Sequence, residues 1–102
     1  MKKLIRDKIP EIMILQNKKP IIEICKNNNE FYEYLKQKLN EEVGEFINTD
    51  KKQEQIEGMA DIFEVINNIC EFNKISKSEI ENIRIKKFKE RGGFEKRIIL
   101  VV

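Results

Sequence analysis

Histidine and tryptophan are absent from the sequence, and its 102 residues include only two cysteines. Cys25 and Cys70 stand far apart, without the Cys-x-x-Cys spacing of redox or zinc motifs. The sequence therefore predicts neither a disulfide framework nor a zinc site built from cysteine and histidine. Any metal ion that this chain binds has to be held by oxygen ligands.

Long apolar runs are absent as well. No hydrophobic stretch approaches the roughly 20 residues that a membrane-spanning helix requires. Met1-Lys2-Lys3 leads into Arg6 and Asp7 without the apolar core of a signal peptide. These absences predict a cytoplasmic protein with no membrane partner. A length of 102 residues predicts one domain, residues 1–102, near the size at which oligomerisation commonly adds buried surface.

The net charge of +2 hides a strong segregation of charge along the chain. Residues 1–20 carry six Lys or Arg against two acids, residues 30–83 carry six against thirteen, and residues 84–97 carry seven against two. If the basic ends fold over the acidic middle, cations lie beside carboxylates, which suits a metal-bound polyphosphate. The alternative is that the basic ends are solvated or bind nucleic acid non-specifically. The small net charge disfavours a nucleic-acid partner.

Hydrophobic spacing and capping residues predict four helices. The first is short and begins near Pro10, and the second runs from about Glu30 to Asn48 after a run of asparagines. The third extends from about Lys51 to Phe72, and the fourth follows the Ser76-Lys77-Ser78-Glu79 capping box to about Arg91. The short connection between the second and third helices predicts an antiparallel hairpin. The predicted fold class is all-α, an antiparallel helix bundle.

Two segments rich in β-branched residues interrupt the helical pattern. Ile21 to Cys25 and residues 96–101 have strong strand preference, and each needs a pairing partner. We therefore predict a small peripheral two-stranded element formed by these two segments. Its pairing would carry Arg97 toward Arg6 and Lys8.

The third helix is apolar over a wide arc. One stripe with alternating spacings of three and four residues is predicted to be buried, and further apolar residues widen it beyond what one hairpin partner covers. Because an uncovered stripe is an exposed apolar patch, we predict a homodimer or higher homo-oligomer. The expected core residues of the fourth helix are Ile80, Ile83 and Phe88. The third-helix stripe consists of Ile56, Met59, Phe63, Ile66 and Cys70, and it is widened by Ile62, Val65 and Ile69.

A carboxylate interrupts the apolar stripe of the second helix. At about 100° per residue, Glu42 falls in line with Leu39 and Phe46, on the side that faces the core. A carboxylate there must be paired, protonated or bound to a cation, because its desolvation alone costs several kcal/mol. Glu41 and Glu45 flank it, and a hard cation such as Mg²⁺ relieves their mutual repulsion most simply. The alternative is a solvated acidic face on which Glu42 is not buried.

Four blocks of the sequence stand out, and they are Leu4-Ile5-Arg6-Asp7-Lys8-Ile9-Pro10-Glu11, Leu39-Asn40-Glu41-Glu42-Val43-Gly44-Glu45-Phe46, Met59-Ala60-Asp61-Ile62-Phe63-Glu64-Val65-Ile66 and Glu90-Arg91-Gly92-Gly93-Phe94-Glu95-Lys96-Arg97-Ile98. Each block alone is a weak signal. In this order, and over nearly the whole chain, they resemble the phosphoribosyl-ATP pyrophosphohydrolase-like branch of the MazG-type all-α NTP pyrophosphohydrolases.

This resemblance implies an all-α, often dimeric enzyme that uses Mg²⁺, or Mn²⁺, to split a nucleoside triphosphate or a related nucleotide into the monophosphate and pyrophosphate. In that family an EExxE helix and an ExxD helix bind the metal. Carried over to this chain, the metal ligands are Glu42, Glu45 and Asp61, and Glu41 or Glu45 helps to activate the attacking water. Four cations are expected to bind the substrate phosphates, and they are Arg6, Lys8, Lys87 and Arg91.

Gly58 stands where the family has the first acid of ExxD, so the chain departs from the pattern at a metal-ligand position. Two alternatives to an active enzyme therefore stay open: a nucleotide-binding pseudoenzyme and a structural oligomerisation module. Metal-dependent nucleotide binding without turnover would favour the first alternative, and neither binding nor turnover would favour the second. Replacement of Gly58 by glutamate is predicted to raise metal affinity and activity.

Overall fold

A computed structural model describes residues 2–101, and within them it contains four α-helices and no strand. These are α1 (Ile9–Leu15), α2 (Asn28–Ile47), α3 (Lys52–Asn73) and α4 (Lys77–Arg91). The all-α prediction is confirmed. The chain forms two compact units, of which the first ends at Ile69 and the second begins at Cys70, within α3. The prediction of a single domain stays a prediction. No helix within residues 2–101 combines the length and apolar composition that crossing a membrane requires.

Local capping sets the beginning of α2. The Asn27 side chain accepts a hydrogen bond from the Glu30 backbone N–H at 2.9 Å, which satisfies one of the free donors of the first turn. At the other end, the Thr49 hydroxyl donates to the Phe46 carbonyl at 2.8 Å. Because these signals are short-range, the predicted bounds of α2 agree with the structure to within two residues.

The α2 and α3 helices of the first unit face each other along an antiparallel seam. Phe46 of α2 meets Gly58 of α3, where a Cβ atom would lie 3.3 Å from the Phe46 ring. Two apolar residues form the buried part of this unit, with exposed fractions of 2% for Leu35 and 7% for Val65. We call this line of contact the α2–α3 seam, and its residues are Leu35, Glu42, Phe46, Gly58, Asp61 and Val65.

The apolar stripe predicted as the buried face of α3 is largely exposed. Phe63 has an exposed fraction of 65%, and Ile56, Met59 and Ile66 are exposed as well, so the prediction that they are buried is wrong within one copy of the chain. Only Cys70 of the stripe is buried. The reason is that α3 has apolar residues on most of its circumference, whereas α2 covers only the side that carries Val65. Periodicity alone could not identify which apolar arc faces α2.

The predicted two-stranded element is absent from residues 2–101. Residues 21–25 and 97–101 have no regular secondary structure. Most of their apolar side chains are open to solvent, and Ile21 is fully exposed. Strand preference describes how well a residue fits a pleated, partly buried surface, and an isolated pair of strands is marginally stable in water. The composition of the two segments was therefore not sufficient to pair them.

In the second unit, α4 begins as predicted at a reciprocal capping box. The Glu79 backbone N–H donates to the Ser76 hydroxyl, and the Ser76 backbone N–H donates to the Glu79 carboxylate at 2.7 Å. The helix ends at Gly92, whose φ of 80° lies in the left-handed region and whose N–H donates to the Phe88 carbonyl. The predicted core positions of α4 are wrong, because its apolar residues Ile80, Ile83 and Phe88 are exposed.

Candidate functional site

A cavity of about 420 Å³ opens beside the α2–α3 seam within the first unit. Its volume falls in the range of roughly 300–1,000 Å³ that is usual for small-molecule sites. The N-terminal segment 4–8 forms one wall, and α2 and α3 form the others. The apolar side chains of its lining are Leu4, Ile5, Phe31, Leu35 and Val65, and the polar and charged ones are Arg6, Asp7, Lys8, Lys38, Glu42, Asp61, Glu64 and Asn68.

Glu42 is the buried carboxylate of this cavity, with an exposed fraction of 7%. Burial is the largest cause that raises the pKa of the Glu42 carboxyl above its ordinary value. The negative charges of Glu45 and Asp61 raise this pKa further, and Lys38 opposes the rise through a hydrogen bond and its positive charge. The sequence-based placement of Glu42 on the core-facing side is confirmed, and the alternative of a solvated Glu42 is wrong.

Asp61 joins the site from α3 and is held by the N-terminal segment. The Arg6 guanidinium donates to an Asp61 carboxylate oxygen at 2.7 Å, across 55 positions of sequence. Both side chains are about half exposed, so this ion pair contributes at most about 1 kcal/mol to stability. The ion pair places Arg6, a predicted phosphate-binding residue, next to Asp61, a predicted metal ligand. Lys8, another predicted phosphate ligand, lines the same cavity.

Glu41 faces a neighbouring cavity of about 420 Å³ that is predominantly basic. Its carboxylate lies 3.5 Å from the Lys3 ammonium and 3.3 Å from the Lys38 ammonium. The remaining lining residues of this second cavity are Lys2, Leu4, Tyr34 and Gln37. Glu45 is exposed and lines neither of the two cavities. The three acids of EExxE therefore have three different surroundings.

The donor set of the site consists of carboxylate oxygens, which suit Mg²⁺ or Mn²⁺ in chemistry. Within residues 2–101, no group of three or more acidic, histidine or cysteine side chains is close enough together to hold a metal ion. Arg6 pairs with Asp61 and Lys38 pairs with Glu42, so two of the three predicted ligands are held by cations of the chain. In addition to burial, the negative charges of Glu45 and Asp61 nevertheless raise the pKa of the Glu42 carboxyl. The arrangement of the three predicted ligands does not form a metal site, and the Mg²⁺ or Mn²⁺ ion stays a prediction.

Gly58 lies at a close approach of α2 and α3. A Cβ atom at this position would lie 3.3 Å from Cδ1 and 3.4 Å from Cβ of Phe46. These distances are at or just inside ordinary van der Waals contact, so a side chain at position 58 requires the Phe46 ring to move by a few tenths of an ångström. The position that lacks a family carboxylate therefore also serves helix packing.

Sequence reasoning missed several residues of the cavity. Lys38 is the most informative, because it precedes Glu41 and Glu42 by three and four positions, the spacing at which helical side chains meet. That signal was present in the sequence. Asp7 and Glu64 add two further acids to the lining, and the Asn68 amide donates to the Glu64 carboxylate at 3.0 Å.

The other two predicted phosphate ligands lie in the second unit. Lys87 and Arg91 are on α4, and both are exposed. Their predicted contact with substrate stays a prediction.

Comparison of the chain with protein-family models, with characterised proteins and with solved structures finds no match. The resemblance described under Sequence analysis therefore rests on the four sequence blocks alone.

Proposed function

We propose that this protein is a Mg²⁺-dependent nucleotide pyrophosphohydrolase that converts a nucleoside triphosphate, or a related nucleotide, into the monophosphate and pyrophosphate. The observation that carries the proposal is the pairing of opposite charges in one cavity. Glu42 and Asp61 line it beside Arg6 and Lys8, as a metal-bound polyphosphate would require. The resemblance of the four sequence blocks to MazG-type enzymes supports the same reaction.

The acidic and the basic residues have separate tasks in this proposal. Glu42 and Asp61, which line the cavity, would hold the metal ion together with Glu45, which lies outside the lining, and Mn²⁺ can replace Mg²⁺. Arg6 and Lys8 bind phosphate oxygens. Binding of a triphosphate gives the Arg6 guanidinium an anionic partner in place of Asp61, which frees that carboxylate as a ligand.

The reaction is the attack of a water oxygen on a phosphorus atom, with the pyrophosphate oxygen as the leaving group. A cation, when bound, would neutralise part of the phosphate charge and stabilise the leaving group. Glu41 or Glu45 accepts the proton of the water as it attacks. Glu45 is exposed and has the negative charge of Glu42 nearby, whereas Glu41 is held by two lysines. Both residues therefore stay candidates for this role, since Glu45 lines neither cavity.

A screen of nucleoside triphosphates with Mg²⁺ or Mn²⁺ tests the proposal, with pyrophosphate and orthophosphate measured separately. We expect pyrophosphate without orthophosphate from at least one nucleotide, and a strong loss of product in Asp61→Asn. Release of orthophosphate alone would assign a different hydrolase activity. The absence of both products, together with the absence of nucleotide binding, would refute the proposal.

One observation favours a second candidate, a nucleotide-binding pseudoenzyme. The glycine at position 58 leaves one fewer carboxylate for the metal, and it packs against Phe46. The screen separates the two candidates if nucleotide binding is measured alongside product release. Metal-dependent binding without turnover would favour the pseudoenzyme. If the chain neither binds nor cleaves nucleotides, a structural oligomerisation module becomes the better proposal.

We further propose that the chain acts as a homodimer or higher homo-oligomer in the cytoplasm. The exposed apolar stripe of α3, which includes Phe63 and Ile66, supports a second copy as its partner. Cys25 and Cys70 are free thiols, which supports a reducing compartment.

A further inference from the structure

Lysines dominate the charged lining of the second cavity of the first unit, which has a volume of about 420 Å³. We call it the basic cavity, after Lys2, Lys3 and Lys38. Residues 2–4 form one wall, and one face of α2 forms the other. Among the residues of this lining, Glu41 is the single acid, so three cations stand against one anion. An excess of positive charge in a cavity attracts an anionic ligand.

Two ammonium groups share the Glu41 carboxylate. The Lys3 Nζ lies 3.5 Å from Oε1 of Glu41, and the Lys38 Nζ lies 3.3 Å from Oε2. One carboxylate carries one negative charge, so it neutralises only one of these two cations. Lys38 also lies 3.3 Å from Glu42, but Glu42 lines the cavity beside the α2–α3 seam and not the basic cavity.

The third lysine has its acidic partner outside the cavity lining. Lys2 pairs with Glu23 at 2.8 Å, and the two side chains are 67% and 62% exposed. Because an exposed ion pair of this kind contributes little free energy, an anion in the cavity displaces Glu23 at small cost. Lys38, by contrast, is only 16% exposed, so solvent ions screen its charge less than that of a surface lysine.

The donors of the basic cavity suit a phosphate group better than a carboxylate. An ammonium group has three donors and no acceptor, and Tyr34 and Gln37 of the same lining add neutral donors. These groups belong to two walls, and the tetrahedral oxygens of a phosphate accept hydrogen bonds from several directions at once. A carboxylate has two oxygens in one plane. Lysine is also a common phosphate ligand in proteins.

We propose that the basic cavity is a binding site for a small phosphate-bearing anion, which Lys3 and Lys38 hold with Lys2 as a third cation. The site is separate from that of the proposed function, because Arg6 and Lys8 line the other cavity and not this one. It requires no metal ion. A bound anion connects the N-terminal segment to α2, because its ligands come from both, and it therefore stabilises the first unit.

The test is a calorimetric titration with inorganic phosphate at low ionic strength, without nucleotide or divalent metal. Lys3→Gln removes one cation of the cavity, and we expect phosphate to bind about tenfold more weakly. Glu41→Gln removes the carboxylate that competes with phosphate for two lysines, and we expect binding about tenfold tighter. The matched controls are Lys36→Gln and Glu33→Gln, which make the same charge changes on α2 outside the lining. Their phosphate affinity should be that of the natural chain.

Two further titrations identify the site and the ligand class. Lys8→Gln removes a cation of the other cavity, and phosphate affinity should not change. If Lys8→Gln loses phosphate binding and Lys3→Gln keeps it, phosphate occupies the other cavity, which overturns this inference and supports the proposed function. Malonate, a dianion with planar carboxylates, should bind at least about tenfold more weakly than phosphate. Equal affinity for the two anions would refute the assignment of a phosphate site.

Thermal unfolding gives a second readout. Phosphate should raise the Tm of the natural chain and of Lys36→Gln relative to chloride at equal ionic strength, and it should raise the Tm of Lys3→Gln less. Lys3 is 59% exposed, so its replacement should not unfold the chain. A natural chain that does not bind phosphate, or equal binding in Lys3→Gln and Lys36→Gln, would overturn the site. The nucleotide screen for the proposed function is independent of that result.

Discussion

The α2–α3 seam of the first unit and the α4 helix of the second unit place the same kinds of side chain in opposite surroundings. In the seam, Glu42 is buried and its pKa is raised, with burial as the largest cause. On α4, Glu81 is exposed, and the hydrogen bond from Arg84 lowers the pKa of its carboxyl. Leu35 is buried in the seam, whereas the apolar residues of α4 are exposed.

The comparison shows that two properties of a helix face have different causes. The spacing of residues decides which side chains share the face, and the neighbouring element decides whether the face is buried. Leu35, Glu42 and Val65 are buried where α3 covers α2, and this burial is the largest cause of the raised pKa of Glu42. The ion pairs on α4 are exposed to solvent, so they contribute little to stability. The following experiments test this contrast, from the largest expected effect to the smallest.

The largest effect is expected on self-association. Phe63→Lys places a charge in the exposed apolar stripe of α3, and we expect it to weaken dimerisation at least about a hundredfold, as the loss of a central aromatic contact commonly does. Phe63 is 65% exposed, so the substitution should not unfold the first unit. Sedimentation at micromolar concentration measures the association.

Gln53→Lys is the matched control for this change, because Gln53 is an exposed polar residue of the same helix. It adds the same charge outside the stripe, and association should remain that of the natural chain. A natural chain that is monomeric at micromolar concentration would contradict the predicted interface.

The next effect is expected on metal affinity. Glu42→Gln keeps the size of the side chain and removes its charge, so we expect Mn²⁺ affinity in the presence of nucleotide to fall by more than about tenfold. Glu33→Gln is the control on the same helix, since Glu33 is exposed and pairs only with Lys36 among the ion pairs of the described residues. Calorimetry that finds equal affinity in the two variants would show that the metal site is elsewhere.

A smaller effect is expected at the family position that lacks its carboxylate. Gly58→Glu and Gly58→Gln both add helix propensity, by up to about 1 kcal/mol, and both displace the Phe46 ring. Only the glutamate adds a possible metal ligand. We therefore expect the glutamate variant to bind Mn²⁺ about tenfold more tightly than the glutamine variant and to release pyrophosphate faster.

The comparison of these two variants removes the effect of packing, which a comparison with the natural chain would include. If both bind Mn²⁺ with equal affinity, a carboxylate at position 58 does not reach the metal. The role of Gly58 would then be the close approach of α2 to α3.

The parts of the fold that were predictable from the sequence depend on local signals. The Asn27 cap and the Ser76 capping box act within one helical turn, and the predicted helices lie close to the observed ones. The burial of Glu42 was predictable because Leu35 and Leu39 precede it at helical spacing on the covered face of α2. In these cases the residues that determine the structure are neighbours in sequence.

The parts that were not predictable depend on distant partners. Residues 21–25 have strand preference, but no strand forms without a pairing partner. On α3, apolar residues on both sides left the orientation open, and the side of Val65 rather than Phe63 is covered. Within the site, the Arg6–Asp61 pair spans 55 positions, and no local spacing predicts it. The Lys38–Glu42 pair was accessible to sequence analysis, but this spacing more often marks a solvated surface pair.

The smallest effect is expected on the pH dependence of stability, to which Glu42 of the first unit and Glu81 of the second unit contribute with opposite sign. The folded state raises the pKa of Glu42 above its ordinary 4.5. Between pH 4.5 and the folded pKa of Glu42, the folded protein therefore binds more protons than the unfolded chain. The contribution of Glu42 to stability is therefore greatest below 4.5 and is lost as the pH rises through the folded pKa. Glu81 has the opposite sign, because its folded pKa is lowered: its contribution is present above 4.5 and is lost as the pH falls through the folded value.

Thermal unfolding of Glu42→Gln and Glu81→Gln in metal-free buffer measures this contrast. At pH 7, we expect Glu42→Gln to raise the Tm by up to about 4 °C, since the glutamine removes a buried charge that Glu45 and Asp61 repel. Glu81→Gln should lower the Tm slightly at pH 7, because it removes the carboxylate that pairs with Arg84. Both Tm differences should shrink as the pH falls toward 4. Saturating Mn²⁺ should make the Tm of Glu42→Gln lower than that of the natural chain, because the natural carboxylate then has a cation to bind. The Tm difference of Glu81→Gln should not change sign. A Glu42→Gln variant that is less stable than the natural chain at pH 7 without metal would contradict this expectation. It would mean that Lys38 compensates the buried charge of Glu42 fully. Glu42 and Glu81 would then differ in burial but not in the pH dependence that they give to stability.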